Sequence, residues 1–499
     1  MSDTTVAQGG HPRGLYTLFF SEMWERFCYY GMRALLTLYL IKSLAMGDAE
    51  AFGIYGAYTA LVYAAPVLGG RIADRLLGYR NAVVLGGILM CIGEFLILGG
   101  TDTWLYVGMG AIIVGNGYFK ANISTIVGKL YADDDPRRDS GFTIFYIGIN
   151  VGALRATTVC AEVGNIYGAH YGFALAGFGM ILGTLTFWMG RKNYEHAAMP
   201  PDPEKLNSPA FLGLNWHQFT IAASLLAIPV LYLLIVNNWI VGYLLAATAV
   251  YVVYSLIAEA IKDGNVARDR MLMMIVMFAF NIVFWACFEQ AGTSLTLFAE
   301  RNVDRHLFGW EMGAATTQFF NPAFILIFGS IFSIMWIKLT EAGRNPSIPM
   351  KFGLGIIQLG LGYLVVYGIQ SLGLVSPEFK MPLFTLVFLY MLHTTGELFL
   401  SPIGLSMVTK LAPKRMTGTA MGGWFLSFAG ANYVAAILAK ATGTEEGHGG
   451  EAAAAATDAA STLSTYVDVY TQMGLITVGI GLLLVLLSRP LNKLTHGIG

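Results

Sequence analysis

The sequence predicts an all-α integral membrane protein with fourteen transmembrane helices, and three observations carry that expectation. Hydrophobic residues fill 56% of the 499 positions and charged residues only 12%, whereas a soluble chain uses about 25% charged residues to hydrate its surface. The mean hydropathy is +0.60. Apolar runs of the roughly 20 residues needed to cross the hydrocarbon core recur along the whole chain. A cytosolic enzyme is thereby excluded. The 30 Lys and Arg against 31 Asp and Glu leave a net charge of -1, so there is no basic excess for nucleic acid. Cys28, Cys91, Cys160 and Cys287 lie singly in apolar runs, without the paired spacing of a disulfide framework or a zinc site.

The helices are expected, in order, near 15-42, 51-73, 81-100, 103-131, 140-164, 170-190, 214-236, 239-261, 271-299, 311-338, 351-370, 382-411, 415-440 and 468-489. The polar stretch before the first of them has no cleavage-type pattern, so no secretory signal is expected. Lys and Arg are retained on the cytoplasmic side during insertion. With the amino terminus inside, most cations fall in cytoplasmic loops, Arg75, Arg80, Arg137, Arg138, Arg191, Lys192, Arg268, Arg270, Lys414 and Arg415 among them. Lys42, Arg301, Arg305, Lys380 and Lys440 fall outside. An even helix count then puts both termini in the cytoplasm.

Composition divides the chain into a cytoplasmic tail at 1-14, a six-helix bundle at 15-190, a proline-containing linker at 191-213, an inserted helix pair at 214-262, a second six-helix bundle at 263-490 and a tail at 491-499. The Gly/Ala/Glu-rich stretch from Thr442 to about Ser464 reads as a flexible outer loop. Paired six-helix halves suggest the major facilitator fold, with substrate bound near the midplane between the repeats. The loop from Gly70 through Asp74, Arg75 and Gly78 to Arg80 resembles that superfamily's signature between the second and third helices.

Ionisable residues at membrane depth cost at least about 2.5 to 3.5 kcal/mol on insertion scales, so they must face protein or water. In the first helix Glu22, Glu25, Arg26, Tyr29, Tyr30 and Arg33 share an arc of roughly 140° at about 100° per residue. Such a stripe lines a polar interior. Lys120 sits mid-way along the fourth helix, and Glu289 and Glu397 lie on later ones. The first half is thus chiefly basic beyond its Glu-Glu-Arg cluster and the second half acidic, which suits a zwitterion. Glu94 and Arg155 each stand alone on an apolar helix and read as structural, with Arg155 either snorkelling outward or pairing with Glu162. His393, with no metal-ligand spacing around it, reads as a satisfied helix residue.

The run Glu22-x-x-Glu25-Arg26-Phe27-x-Tyr29-Tyr30-Gly31 resembles the first-helix signature of the proton-dependent oligopeptide transporter family. The chain is also similar to that family at Phe145-Tyr146-x-x-Ile149-Asn150-x-Gly152, at Gln318-x-x-Asn321-Pro322, at Asn345-Pro346-Ser347 through Lys351-Phe352, and at Gly396-Glu397-Leu398. The extra helix pair is similar to that of bacterial members, which implies an inner-membrane protein. Carried over by position, the resemblance implies that Arg33 and Lys120 receive a peptide's carboxylate, and that Asn150, Asn321 and Glu397 receive its amino end. It further implies side-chain pockets at Tyr29, Tyr30, Tyr63, Trp285 and Trp424, a proton-handling cluster of Glu22, Glu25 and Arg26, and an outer gate pairing Arg33 with Glu289. Protons would be the coupling ion, with no cofactor and no metal. Where the family continues its fifth-helix motif with a small residue and proline, this chain has Arg155-Ala156-Thr157, which leaves the bend of that helix open.

The residue types suit that chemistry. An arginine fork takes a carboxylate through two parallel hydrogen bonds and a lysine adds a point charge. A glutamate and amide oxygens accept from an ammonium group. Recognition of the two ends leaves side chains unread, and each added residue lengthens an extended peptide by about 3.3 to 3.6 Å, so charged walls at fixed separation admit di- and tripeptides. A proton-coupled transporter of nitrate, another small anion or a drug-like solute is the alternative. A channel, a receptor and a membrane enzyme fit less well, and the sequence sets no oligomeric state.

Overall fold

The computed structural model describes residues 10–132, 135–443 and 459–497, the side chains at 401–403, 405 and 414 aside. Long helices are α1 Arg13–Leu38, α2 Asp48–Ile72, α3 Tyr79–Ile97, α4 Asp102–Lys129, α5 Arg138–Arg155, α6 Ala169–Met189, α7 Trp216–Val236, α8 Asn238–Lys262, α9 Asn265–Phe288, α10 Phe320–Glu341, α11 Ile348–Ser371, α12 Phe384–Leu411, α13 Thr417–Lys440 and α14 Ala459–Lys493. Among the described residues, strands occur in three two-stranded ladders in loops. Among the described residues, 11 helical runs are long and apolar enough to cross a membrane. The long helices outside that set are α1, α4 and α12, whose apolar part is the shorter run Phe384–Leu400. Of these, α1 and α4 carry Glu22, Glu25, Arg26, Arg33 and Lys120, charges that lower their hydropathy, whereas the run of α12 ends at Leu400, where the described side chains stop.

The chain forms two compact units, one of residues up to Leu35 with Ala64–Val236, the other of Leu36–Tyr63 with Asn237 onward. The division differs from the expected one at two places. The helix pair expected as one insert at 214-262 is shared, α7 with the first unit and α8 with the second. The end of α1 from Leu36 and the larger part of α2, up to Tyr63, expected in the first bundle, are grouped with the second unit.

Both units are stitched by the same device. In the first, α3 and α4 cross through Gly86 against Gly115 and Gly93 against Gly108; in the second, α11 and α14 cross through Gly353 against Gly481 and Gly360 against Gly474. A Cβ on any of these eight would lie 2.5 to 3.0 Å from its partner's carbonyl oxygen. The glycines are spaced seven apart, two turns of helix, so each seam runs along one face. Apolar lipid gives no hydrophobic reward for helix association, and close approach of backbones through small residues replaces it.

In the first unit the linker packs down rather than hanging free. Ala198 O accepts from Arg80 N at 2.9 Å, Glu195 pairs with the Arg80 guanidinium, and the buried Tyr194 hydroxyl donates to Phe187 O at 2.7 Å. Leu206 joins the core of Ala73, Leu77 and Tyr118. α7 is seated on α4 by a buried 2.9 Å hydrogen bond between Ser224 Oγ and the Tyr118 hydroxyl.

In the second unit the tip between α1 and α2 is tied to the short helix Ser294–Asn302. Arg301 holds the buried Asp48 carboxylate in a two-pronged bond of 2.6 and 2.8 Å, and Lys42 pairs with Glu300, which also meets Arg305 at 3.0 Å. Thr37 Oγ1 donates to Gly292 O at 2.5 Å.

Several helices differ from their expected limits. The run expected at 271-299 breaks after Phe288 into a tight turn over Glu289–Gly292 before resuming at Ser294. The run expected at 311-338 opens as a short ladder and a tight turn and becomes α-helical at Phe320. α14 starts at Ala459, ahead of the expected 468. The core of the expected outer loop, 444–458, and tail residues 1–9 lie outside the described residues. α5 ends in a wide turn, Ala161 N bonding Ala156 O five residues back, with Thr157 and Thr158 hydroxyls bonding Ala153 O and Leu154 O. Arg155-Ala156 opens this turn, so the helix changes its winding there without proline.

Two outcomes test this architecture. Gly360→Ala is expected to destabilise the protein by about 1 to 3 kcal/mol, the usual effect of overpacking. Gly368→Ala on the same helix, with nothing within 4 Å, leaves the thermal midpoint in detergent unchanged. Arg301→Ala strands a buried carboxylate and is expected to cost about 3 kcal/mol. Adding Asp48→Asn to it recovers part of that loss, measured by the same unfolding.

Candidate functional site

The first unit presents a cluster of buried charges on α1. The Arg26 guanidinium grips Glu25 with two prongs, Nη2 to Oε1 at 2.7 Å and Nε to Oε2, and Nε also lies 3.3 Å from Glu22 Oε1. All three side chains are buried. Asn116 of α4 donates to Glu25 Oε1 at 3.1 Å, so the carboxylate is fixed by two helices. Gly152 of α5 makes room, since a Cβ there would stand 2.9 Å from Arg26 Cβ. The guanidinium carbon of Arg26 lies 5.3 Å from the Tyr29 ring and 5.9 Å from Tyr30. The guanidinium carbon of Arg33, two turns beyond Arg26, lies 5.7 Å from the centre of the Tyr30 ring, within cation–π range. The two phenol rings meet edge to face at 5.2 Å.

Lys120 follows Asn116 by four residues, hence on the same face of α4, and is half-buried. Asn150 is buried on α5 and spends its amide nitrogen on Tyr146 O at 3.0 Å. That bond uses a donor of the amide and leaves its oxygen as an acceptor. Of the two isolated charges, Glu94 is fully buried and its Oε1 accepts from Cys28 Sγ at 3.3 Å. Arg155 is exposed and its Nη1 reaches Met23 Sδ at 3.7 Å.

The second unit holds the acidic group. Asn321 of α10 donates to Glu397 Oε2 at 3.0 Å and to Thr394 Oγ1 at 3.1 Å, so two residues expected at one ligand end are bonded to each other. Glu397 is buried on α12. Glu289 is buried on the turn that breaks the run after α9. That break is held by Gln290, whose amide nitrogen donates to Ala435 O at 2.8 Å and whose oxygen accepts from Ser294 at 2.7 Å. Thr296 satisfies Ala291 O at 2.7 Å. Irregular backbone at membrane depth persists only when its polar groups are answered in this way, and in transporters it marks ligand sites.

Three aromatic residues expected as pockets, Tyr63, Trp285 and Trp424, converge on a residue the sequence reading did not single out. The Phe428 ring stacks on Tyr63 at 6.0 Å and meets Trp285 at 5.1 Å and Trp424 at 5.4 Å. The signal available was its spacing, four residues after Trp424 on one face of α13. His393, expected as a satisfied helix residue, packs its ring on Tyr363 at 4.7 Å and makes a hydrogen bond with the Leu359 backbone, while Nε2 is buried without a partner. Among the described residues no cluster of three or more metal-ligating side chains occurs.

Comparison with known proteins places this arrangement. The family model described as the POT family matches residues 80–453. A protein of Bacillus subtilis named uncharacterized transporter YclF is 38% identical over 86% of this chain and 88% of its own length. A dipeptide and tripeptide permease B of Yersinia enterocolitica is 31% identical over 97% of this chain and 96% of its own. Among solved structures, a peptide transporter POT in complex with sulfate superposes with a TM-score of 0.81 at 33% identity, covering 98% of this chain and 97% of that one. A mutant of a peptide transporter POT bound to alafosfalin gives 0.82 at 33% identity, over 98% and 97%. The major facilitator fold and a multi-pass membrane transporter, not an enzyme, follow from these likenesses. The matched model covers most of the length and relatives of this identity span nearly all of it: the chain belongs to the POT family.

Proposed function

We propose that this protein is a proton-coupled symporter that imports di- and tripeptides by alternating access. The observation that carries the reading is the chemical opposition of the two units, each complete in itself. One holds Arg33 and Lys120 beside an arginine–glutamate cluster; the other holds Glu397 oriented by Asn321. Arg33 and Lys120 take the peptide carboxylate, and Asn150, Asn321 and Glu397 take the ammonium end. Tyr29, Tyr30, Tyr63, Trp285 and Trp424, with Phe428 added, accept side chains. Aromatic walls give adaptable apolar area with phenol and indole donors, so selectivity is broad. The relatives named as dipeptide and tripeptide permeases support the substrate class.

Glu22, Glu25 and Arg26 handle the proton. A carboxylate bound to a guanidinium has a different proton affinity from one released from it, so making and breaking the pair loads and unloads a proton. At 100 mV one charge supplies about 2.3 kcal/mol, enough at about 1.36 kcal/mol per decade for a gradient of roughly fiftyfold. Arg33 and Glu289 form the gate on the outer side. The inner membrane of a bacterium, with both termini cytoplasmic, is the location that the distribution of cations supports.

The deciding experiment is uptake of labelled di-alanine into proteoliposomes with and without an imposed proton gradient, challenged by tri-alanine, tetra-alanine, free alanine and nitrate. Competition by tri-alanine alone fits the reading; competition by nitrate alone would replace the peptide by a small anion. Glu22→Gln and Glu25→Gln are expected to abolish uphill uptake while counterflow exchange persists, because exchange needs no net proton movement. Arg33→Ala is expected to weaken di-alanine binding at least about thirtyfold, the loss of one partner of a desolvated charge pair. It should affect a carboxylate-blocked peptide far less, and equal losses for both peptides would remove Arg33 from that end.

A further inference from the structure

The motif from Asn345 to Phe352 has no part in the proposed transport cycle, yet it places a cation in an unusual position. Lys351 of α11 is 8% exposed and makes no hydrogen bond or ion pair with the described residues. Its Nζ stands 4.3 Å from the centre of the Trp336 ring on α10. The charge that bears on it is another cation, Lys410 on α12. Beside it the Trp336 indole nitrogen is buried without an acceptor, boxed by Phe399 at 5.2 Å and Phe332 at 6.4 Å.

The start of α11 adds to this set. Its first turn carries no acidic residue, and the Ser347 side chain does not cap it. The free N–H groups of a first turn and the positive end of the helix dipole favour an anion and disfavour a lysine. A buried ammonium, an orphaned indole donor and an uncapped helix start are all donors. Nothing among the described residues supplies the acceptor they share.

α10 indicates where that acceptor comes from. Only 6% of its apolar window is buried, and Ile327, Ile331, Ile334 and Ile337 are 54 to 57% exposed along it, a face built for acyl chains. Trp336 lies between the last two of them in sequence, in the closing turns of α10, and indole rings are enriched at the headgroup level where spanning helices end. Basic pockets between helix ends hold lipid phosphates. We propose that Lys351, the indole N–H of Trp336 and the first turn of α11 bind the phosphate of an anionic phospholipid of the phosphatidylglycerol class.

The test uses the whole protein, purified and delipidated in neutral detergent. It is titrated separately with phosphatidylglycerol, phosphatidylcholine and inorganic phosphate, with bound lipid read by native mass spectrometry and the thermal midpoint read in parallel. Phosphatidylglycerol is expected to be retained and to raise the midpoint. Lys351→Gln should weaken that retention about tenfold, the loss of one charge-assisted hydrogen bond. Trp336→Phe, which keeps the ring and removes only the N–H, should weaken it by a smaller factor, and Lys338→Gln at an exposed neighbouring cation should not. Equal retention by the parent and both site variants overturns the proposal. So does protection by inorganic phosphate matching that of the lipid, which would assign the site to a free anion, or equal retention of phosphatidylcholine, which would remove the need for net charge.

Discussion

A charge within the hydrocarbon has no water to answer it, so it calls for partners from its own helix or a neighbouring one, and that requirement shapes both units. Arg26 is the clearest case. Its guanidinium has five donors in a fixed fork, and the chain supplies Glu25 with two prongs, Glu22 at 3.3 Å and the faces of Tyr29 and Tyr30. Asn116 then holds Glu25 from α4. Glu25 is thereby held from both sides, while Glu22 keeps one buried oxygen, Oε2, without a hydrogen-bond partner.

Bringing such groups together needs helices that approach more closely than ordinary side chains allow. The glycine seams of α3 with α4 and α11 with α14 provide rigid pairs against which the charged helices pack. Gly152 serves the same end locally by leaving room for Arg26. In the second unit, the close approach of Gly355 to Gly396, a Cβ on either meeting the other's carbonyl oxygen at 2.7 Å, sets α12 one residue before Glu397. Small residues in these helices therefore position the large charged ones. Their role is steric before it is chemical.

How much of this was legible in the sequence depends on whether the signal was periodic. The α1 stripe followed from residue spacing at 100° per residue, and the structure gathers its acids, base and phenols on one face as expected. The helix order followed from hydropathy. The break at Glu289–Gly292 falls on the polar, glycine-containing stretch from Glu289 to Ser294, but that stretch alone did not reveal it, because the break is held by distant partners, Thr37 and Ala435. Phe428 was missed for the same reason, since a phenylalanine on an apolar helix carries no local mark of three aromatic neighbours. The sharing of α7 and α8 between units was hidden because both are apolar on every side. Only the Ser224 hydroxyl distinguishes the face of α7 that meets Tyr118.

That hydrogen bond bears on what the extra helix pair is for. Tyr118 precedes Lys120 by two residues on α4, so the two point to different faces: one toward α7, the other toward the side shared with Asn116. α7 therefore touches α4 at the level of its cation without approaching the cation itself. α8 is seated separately in the second unit, where Gly242 gives way to the Tyr433 ring and Gly423 to Val252. Each helix of the pair is thus anchored within its own unit, α7 to the face of α4 opposite Lys120 and α8 to α13, the helix that carries Trp424 and Phe428.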